Sequence, residues 1–255
     1  MDDGTERPLA LLIHGGSWVG GDKSAFQQSA PAFVPWFLDR GYTVAAINFR
    51  LASPMGQPGD VGPMDQAQDI AHALAWLHEQ SASLGISREP ALLVGYSSGA
   101  HLAALLGADG RYLEDAGLDP DRIAATVSLD VHAYDVPLAL ELMVGSDVEQ
   151  NIPLILHLFG ETESEQLEAS PIHHVDDRVA PAMLVSVGAE PERTGSHGQI
   201  VVAAADNYAS ALTAAGHHAE TVHDADEDHS SLAIGFGEAD DEVTRKVGEF
   251  LDGLP

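Results

Sequence analysis

Ala91–Leu106 reads ALLVGYSSGAHLAALL. Its first four residues are an apolar run too short for a helix and stopped by Gly95, the pattern of a buried strand. Its last seven, from Ala100, are rich in strong helix formers. Between them stands Gly95-Tyr96-Ser97-Ser98-Gly99, a G-x-S-x-G in strand–turn–helix context. A turn this sharp strains its central residue and leaves almost no room for side chains beside it. The sequence therefore predicts that Ser97 presents its hydroxyl at the head of a helix, as a nucleophile would.

Working upstream, Pro8–Ile13 is a second apolar run. It leads into His14-Gly15-Gly16-Ser17-Trp18 and Val19–Ser24, where a glycine pair lets backbone N–H groups form an anion-binding nest. Ser24–Arg40 reads as a helix interrupted near Pro31 and Pro35, and Tyr42–Phe49 as the next strand. Arg50–Pro63 is a Pro/Gly-rich loop. Met64–Leu84 carries Ile70, Leu74, Leu77 and Leu84 at helical spacing.

Downstream, Ile123–Leu129, Ala182–Val187 and Ala219–His223 read as strands. Gln199–Ala215 and Glu238–Leu251 read as helices, and Asp224–Ser231 as a loop. Residues 130–179 are broken by Pro137, Pro153 and Pro171, with short helices expected over Leu138–Val144 and Ile152–Phe159. This stretch is read as a small cap over the sheet. Alternating strands and helices predict a single α/β domain over residues 1–255, with a doubly wound, mostly parallel sheet. Ligands of such sheets sit at the carboxyl ends of the strands.

Composition excludes several alternatives. Forty acidic residues against eleven basic ones leave a net charge of −29, which disfavours nucleic acid and anionic membranes as partners. The acids are spread along the chain, and a hydrophobic content of 45% argues for a folded protein rather than a disordered one. A domain this acidic gains stability when salt screens its self-repulsion, so a halophilic source is expected. With no cysteine, disulfides and thiolate metal sites are excluded. No apolar run is long enough to span a bilayer, and the acidic N-terminus lacks a signal-peptide layout, so a cytoplasmic location is expected.

A serine nucleophile needs a base, and the base needs a third group to hold it. After a G-x-S-x-G serine the chain order is acid, then histidine. His14 lies in the glycine loop and His101 on the helix after the turn, where packing is expected; His217, His218 and His223 fall at a helix end and in the final strand. His229 lies in the loop beyond the last strand and is the expected base. The acid is sought just past Val187, in Gly188-Ala189-Glu190-Pro191-Glu192, with Glu190 favoured over Glu192 and Asp135 a remote third. Backbone N–H groups of Gly16, Ser17 and Ser98 are the candidate donors to an oxyanion.

With these segments the chain resembles the α/β-hydrolase superfamily. It is most similar to the branch joining hormone-sensitive-lipase-like carboxylesterases, kynurenine formamidases and bacterial feruloyl esterases. HGGSWVGGDKS (His14–Ser24), INFRLAS (Ile47–Ser53), QDIAHALAWL (Gln68–Leu77), GYSSGAHLAALL (Gly95–Leu106), SPIHHV (Ser170–Val175) and EDHSSL (Glu227–Leu232) carry the resemblance. It implies Ser97 as nucleophile, His229 as base, Gly16, Ser17 and Ser98 as oxyanion hole, and Arg50 with Asp69 as a structural pair behind the site. Two departures stand out. The family's usual aspartate position, three residues past the glycine matching Gly188, is Pro191 here, so a glutamate must substitute. The usual leading strand pair does not fit in the seven residues before Pro8, which makes the chain natively minimal or truncated. A sheet edge exposed in this way favours pairing between copies, so a homo-oligomer is an expectation.

The resulting expectation is a carboxylesterase-type serine hydrolase working through an acyl-enzyme on small-molecule esters, without metal or cofactor. Trp18, Tyr96 and apolar residues within Leu138–Phe159 suggest an apolar acyl or aryl pocket. Two alternatives remain: an arylformamidase-type amide hydrolase, and an impaired hydrolase fold serving as a binding module.

Overall fold

A computed structural model describes residues 5–54, 60–175, 178–188 and 195–254. Its strands are β1 (Leu9–Ile13), β2 (Thr43–Ile47), β3 (Ala91–Tyr96), β4 (Ile123–Leu129), β5 (Ala182–Val187) and β6 (Ala219–Asp224). They form one six-stranded sheet in the order β2-β1-β3-β4-β5-β6, and every neighbouring pair is parallel. The chain leaves β1 for β2 on one side and returns to lay β3 on the other. The loops after β1 and β3 therefore meet at a topological switch point, where such sheets open a crevice.

The twelve α-helices described are α1 (Ala25–Gln28), α2 (Phe33–Asp39), α3 (Pro63–Glu79), α4 (Ser81–Leu84), α5 (Ser98–Ala108), α6 (Arg111–Asp115), α7 (Val136–Met143), α8 (Ile152–Phe159), α9 (Glu163–Glu168), α10 (His197–Ala214), α11 (His229–Gly235) and α12 (Glu242–Asp252). The period of two along each strand sorts the core into two layers. Leu9, Leu11 and Ile13 of β1, with Ala91 and Leu93 of β3, pack with residues of α3, α5 and α10. Ala10, Leu12, Leu92 and Val94 face the other way, onto Phe33 and Phe37 of α2 and Val243, Val247 and Phe250 of α12. Because both faces are covered, the inner strands are mostly apolar on both faces rather than alternating, with Thr126, Ser128 and Ser186 as buried polar exceptions. At one edge β2 pairs only with β1, and all five of its residues are partly exposed. Among the described residues no strand precedes β1.

Several boundaries differ from the sequence reading. The helical break falls between Gln28 and Phe33 and contains Pro31, whereas Pro35 lies inside the first turn of α2. There its missing N–H costs nothing, because the first N–H groups of a helix have no intrahelical acceptor. The expected loop Asp224–Ser231 ends early, since α11 begins at His229 itself. Between β4 and β5 lie α7, α8 and α9. The apolar side chains of α8 turn inward: Ile155, Leu158 and Phe159 are buried in the main core.

Candidate active site

Gly95 and Gly99 are glycines because the backbone passes through the space a side chain would need. A Cβ on Gly95 would collide with the carbonyl of Gly99, and one on Gly99 with the carbonyl of Ile13. Between them Ser97 adopts φ 55° and ψ −124°, an unfavourable conformation for a non-glycine residue. Its N–H donates to Leu129 O at 2.8 Å, tying the turn to the end of β4. The Ser97 hydroxyl then stands at the N-terminus of α5, a helix buried along its whole length.

The hydroxyl donates to His229 Nε2 at 3.1 Å, and His229 Nδ1–H donates to Asp130 Oδ2 at 2.5 Å. Asp130 is the residue immediately after β4 and is 1% exposed. Its other carboxylate oxygen accepts the Val187 N–H at 3.0 Å, and its own N–H donates to Val185 O at 2.9 Å. β5 thus fixes the carboxylate from the side opposite Ser97. Asp130 has φ 59°, a second strained non-glycine residue one strand away from the first.

Two further contacts place His229. Asp228 caps α11, accepting from Ser230 N and Ser231 N, both at 2.8 Å. These bonds hold its carboxyl below the usual range. The Tyr96 ring stacks on the imidazole at 4.9 Å, and its hydroxyl donates to His229 O at 2.5 Å. Burial pushes that phenol's pKa upward, so it stays a donor.

The loop after β1 closes the site. Gly16 O accepts from Val19 N and Gly20 N, while Ser17 and Trp18 take φ values of 54° and 62°. Trp18 is held from below by His101, whose Nδ1 accepts from Trp18 Nε1 at 3.3 Å and whose Nε2–H donates to Ala169 O at 2.8 Å. Burial pushes His101 down to about 4, so the ring is neutral and its tautomer follows from these two partners. As expected from the sequence, His101 is a packing residue. Arg50 and Asp69 form a bidentate pair, with Nε to Oδ2 and Nη2 to Oδ1 both at 2.8 Å.

A cavity of about 190 Å³ opens over Ser97, lined by Ser97, Ser98, Ser17, Trp18, Asp130 and His229 together with side chains from the segments after β4 and β5. The structure therefore brings together Ser97, His229, Ser17 and Ser98. Gly16 stands one residue behind, shaping the turn. Among the described residues neither Ser17 N–H nor Ser98 N–H has a backbone acceptor. Glu190 and Glu192 lie outside the described residues. The carboxylate on His229 is Asp130, the first residue of the stretch expected to form the cap. Asp135, the remote third candidate, caps α7 instead, accepting from Leu138 N at 3.2 Å. The sequence places Asp130 directly after a strand, as it places Glu190 and Glu192 after the next one, and only the tertiary structure shows that β4 adjoins β3.

Of the expected apolar lining, Trp18 reaches the cavity wall, joined there by Val131. Tyr96 packs beneath His229, and of the stretch Leu138–Phe159 only Val148 and Asn151 reach the wall. His132 and His197 complete it. His14, His217, His218 and His223 stand elsewhere: His14 stacks on Phe49 at 4.4 Å and burial lowers its pKa, while His223 pairs with Asp206 at 2.9 Å. Among the described residues no group of three or more His, Asp or Glu side chains is arranged to hold a metal ion. No helix described is long and apolar enough to cross a membrane.

Comparison with known proteins bears on the fold and the family. Esterase 2 of the planctomycete Thermogutta terrifontis superposes with a TM-score of 0.67 at 22% identity, over 98% of this chain and 81% of that one. Esterase B of Lactobacillus rhamnosis, in a form with a bound inhibitor, gives a TM-score of 0.72 at 19% identity, over 98% and 77% of the two chains. At these identities the likeness establishes the fold, which is that of the α/β-hydrolases. Residues 1–192 match the family model described as BD-FAE, and the chain belongs to that family. In sequence it is also 34% identical over 110 residues to the non-reducing polyketide synthase ausA of Aspergillus calidoustus, a match covering 40% of this chain. The chain spans only 4% of the length of that relative.

Proposed function

We propose that the protein is a serine esterase that cleaves carboxylic esters through an acyl-enzyme, with Ser97, His229 and Asp130 as its catalytic residues. The observation that carries the reading is the unbroken relay from the Ser97 hydroxyl through His229 to the buried carboxylate of Asp130. In this mechanism Ser97 Oγ attacks the ester carbonyl while His229 Nε2 takes its proton. Asp130 keeps the second imidazole proton on Nδ1 and offsets the positive charge that develops on the ring. The oxyanion of the tetrahedral intermediate is met by the N–H groups of Ser98 and Ser17, with Gly16 setting the loop's turn. Collapse breaks the bond to the alkoxy oxygen, which leaves with the proton from His229. Water, activated by the same imidazole, then releases the acid and restores Ser97.

Residues 130–179 act as a cap in this reading, contributing Val148 and Asn151 to the cavity wall. A volume of about 190 Å³ is below the range of drug-sized sites, which favours short acyl and alcohol groups. The alternative of an impaired hydrolase loses one of its grounds, because a carboxylate does meet His229. The test is hydrolysis of short p-nitrophenyl esters in molar salt by the wild type and Ser97→Ala, beside covalent labelling with a fluorophosphonate. Turnover and labelling that both disappear in Ser97→Ala support the reading; a folded wild type that neither labels nor turns over any ester overturns it.

A further inference from the structure

The catalytic scheme leaves two imidazoles of the cavity wall without a task. His132, two residues past Asp130, and His197, the first residue of α10, flank the triad in a row of edge-to-face rings. The His132 and His197 centroids are 5.8 Å apart at 84°, and those of His197 and His229 5.5 Å apart at 87°. Asn151 reaches the same wall from the segment before α8. Nε2 of His132 is buried with no hydrogen-bond partner. The His197 ring lies on the same wall, and its backbone N–H donates to Asp147 Oδ1 at 2.9 Å.

A buried, unpaired polar atom is uncommon in native proteins and calls for a partner. A half-rotation about the terminal side-chain torsion brings either edge of an imidazole to the cavity, and that torsion is soft and nearly two-fold. Burial pushes His132 down to about 4 and His197 below its ordinary value, and the charge of each on the other acts in the same direction for His132. Both rings are therefore neutral near pH 7, each offering one N–H donor and one nitrogen acceptor. An anionic substrate group is disfavoured, because the rings carry no charge and the chain as a whole carries −29. What fits is an uncharged oxygen.

We infer that His132 and His197 are specificity-determining residues that hydrogen-bond an uncharged hydroxyl or carbonyl oxygen carried by the ester beside its scissile bond. The inference rests on the serine esterase reading and names its substrate class: small hydroxy- or oxo-substituted esters rather than plain alkyl esters. An alkyl group in the cavity would displace water from the imidazoles and return no hydrogen bond, so a site of this kind discriminates against the analogue lacking the oxygen. The oxygen could belong to the acyl part or to the alcohol part, and the chemistry that recognises it is the same.

The experiment compares kcat/KM by pH-stat in molar salt at pH 7.5 in two arms. The acyl arm sets ethyl 3-hydroxybutyrate against ethyl butyrate; the alcohol arm sets 2-hydroxyethyl butyrate against propyl butyrate. The expected result is a preference of about tenfold or more for the oxygenated ester in one arm, equivalent to one well-made hydrogen bond. In His132→Leu and His197→Leu that ratio falls toward one, while His132→Asn, which keeps a polar group, retains part of it. Fluorophosphonate labelling of Ser97 in each variant shows that the site has formed, and the wild-type ratio needs no variant at all. A wild-type ratio near one in both arms, or a ratio unchanged in the correctly labelled variants, overturns the inference while leaving the esterase intact. No labelling and no turnover of any ester would instead remove the esterase reading beneath it.

Discussion

Ser97 and Asp130 are the same step in two adjacent strands: Tyr96 of β3 pairs with Leu129 of β4, and each strand's next residue turns into positive φ, at 55° and 59°. The Ser97 N–H donates to Leu129 O, so Ser97 and Asp130 are built on one pair of strand ends. His229 is brought across the top of that pair by α11 and bonds both. Two strained residues side by side cost stability, of order 1–3 kcal/mol each, and parallel register between buried strands is what holds them.

Asp130→Asn should fold and lose about 10³- to 10⁴-fold in kcat/KM. Asparagine tolerates positive φ, so the backbone is kept, but the amide no longer holds the imidazole in the working tautomer. Glu190→Gln, measured beside it, should change kcat/KM by less than about threefold. The reverse pattern would move the acid to Glu190 and reduce Asp130 to a structural role.

Asp228→Ala should slow turnover several-fold and lower stability by about 1 kcal/mol, the usual worth of an N-cap. The variant leaves the N–H groups of Ser230 and Ser231 unsatisfied and frees the first turn of α11, whose first residue is His229. Denaturant melts and the rate of fluorophosphonate labelling check the two effects separately. A slower label with unchanged KM is the sign of a misplaced base.

Stability should fall as pH drops from about 6.5 toward 4. His101 is fully buried and neutral, with its folded pKa near 4 against 6.5 unfolded. Over that window the unfolded chain binds the proton and the folded one does not, so stability is complete above the unfolded value and declines below it. The largest effect of such a shift is on the order of 3 kcal/mol. His101→Gln should be less stable at pH 7, having disturbed the bonds to Trp18 and Ala169, but should show a shallower slope between pH 6.5 and 4. Equal slopes for the two proteins would place the titrating groups elsewhere.

Raising KCl from 0.1 to 2 M should raise Tm by several degrees. With forty acidic residues against eleven basic ones, screening removes more repulsion than attraction. The few ion pairs, such as Arg111 with Asp109 and Arg50 with Asp69, are too scarce to reverse the sign. A Tm that is flat or falling with salt would show that the charge is spread thinly enough not to matter.

The layered fold, the strand positions, Ser97 and His229 were legible in the sequence because each is written locally. A buried strand is a short apolar run, a sharp turn needs its two glycines, and a helix stop needs its glycine or proline. Ile123–Leu129 and Ala182–Val187 could be placed to the residue for that reason. The two histidines on the cavity wall and the carboxylate that meets His229 were not legible. Residues 130, 190 and 192 all follow strands and all carry carboxylates, and nothing local distinguishes them. Asp130 and His229 are 99 residues apart, and their contact depends on the registers of β3, β4 and β5 and on how α11 packs across them. The composition and the local hydrophobic period determined what kind of molecule this is and which hydroxyl it offers. Only the tertiary structure decided which carboxylate stands behind the imidazole, because that depends on non-local strand pairing, which no short stretch of the chain encodes.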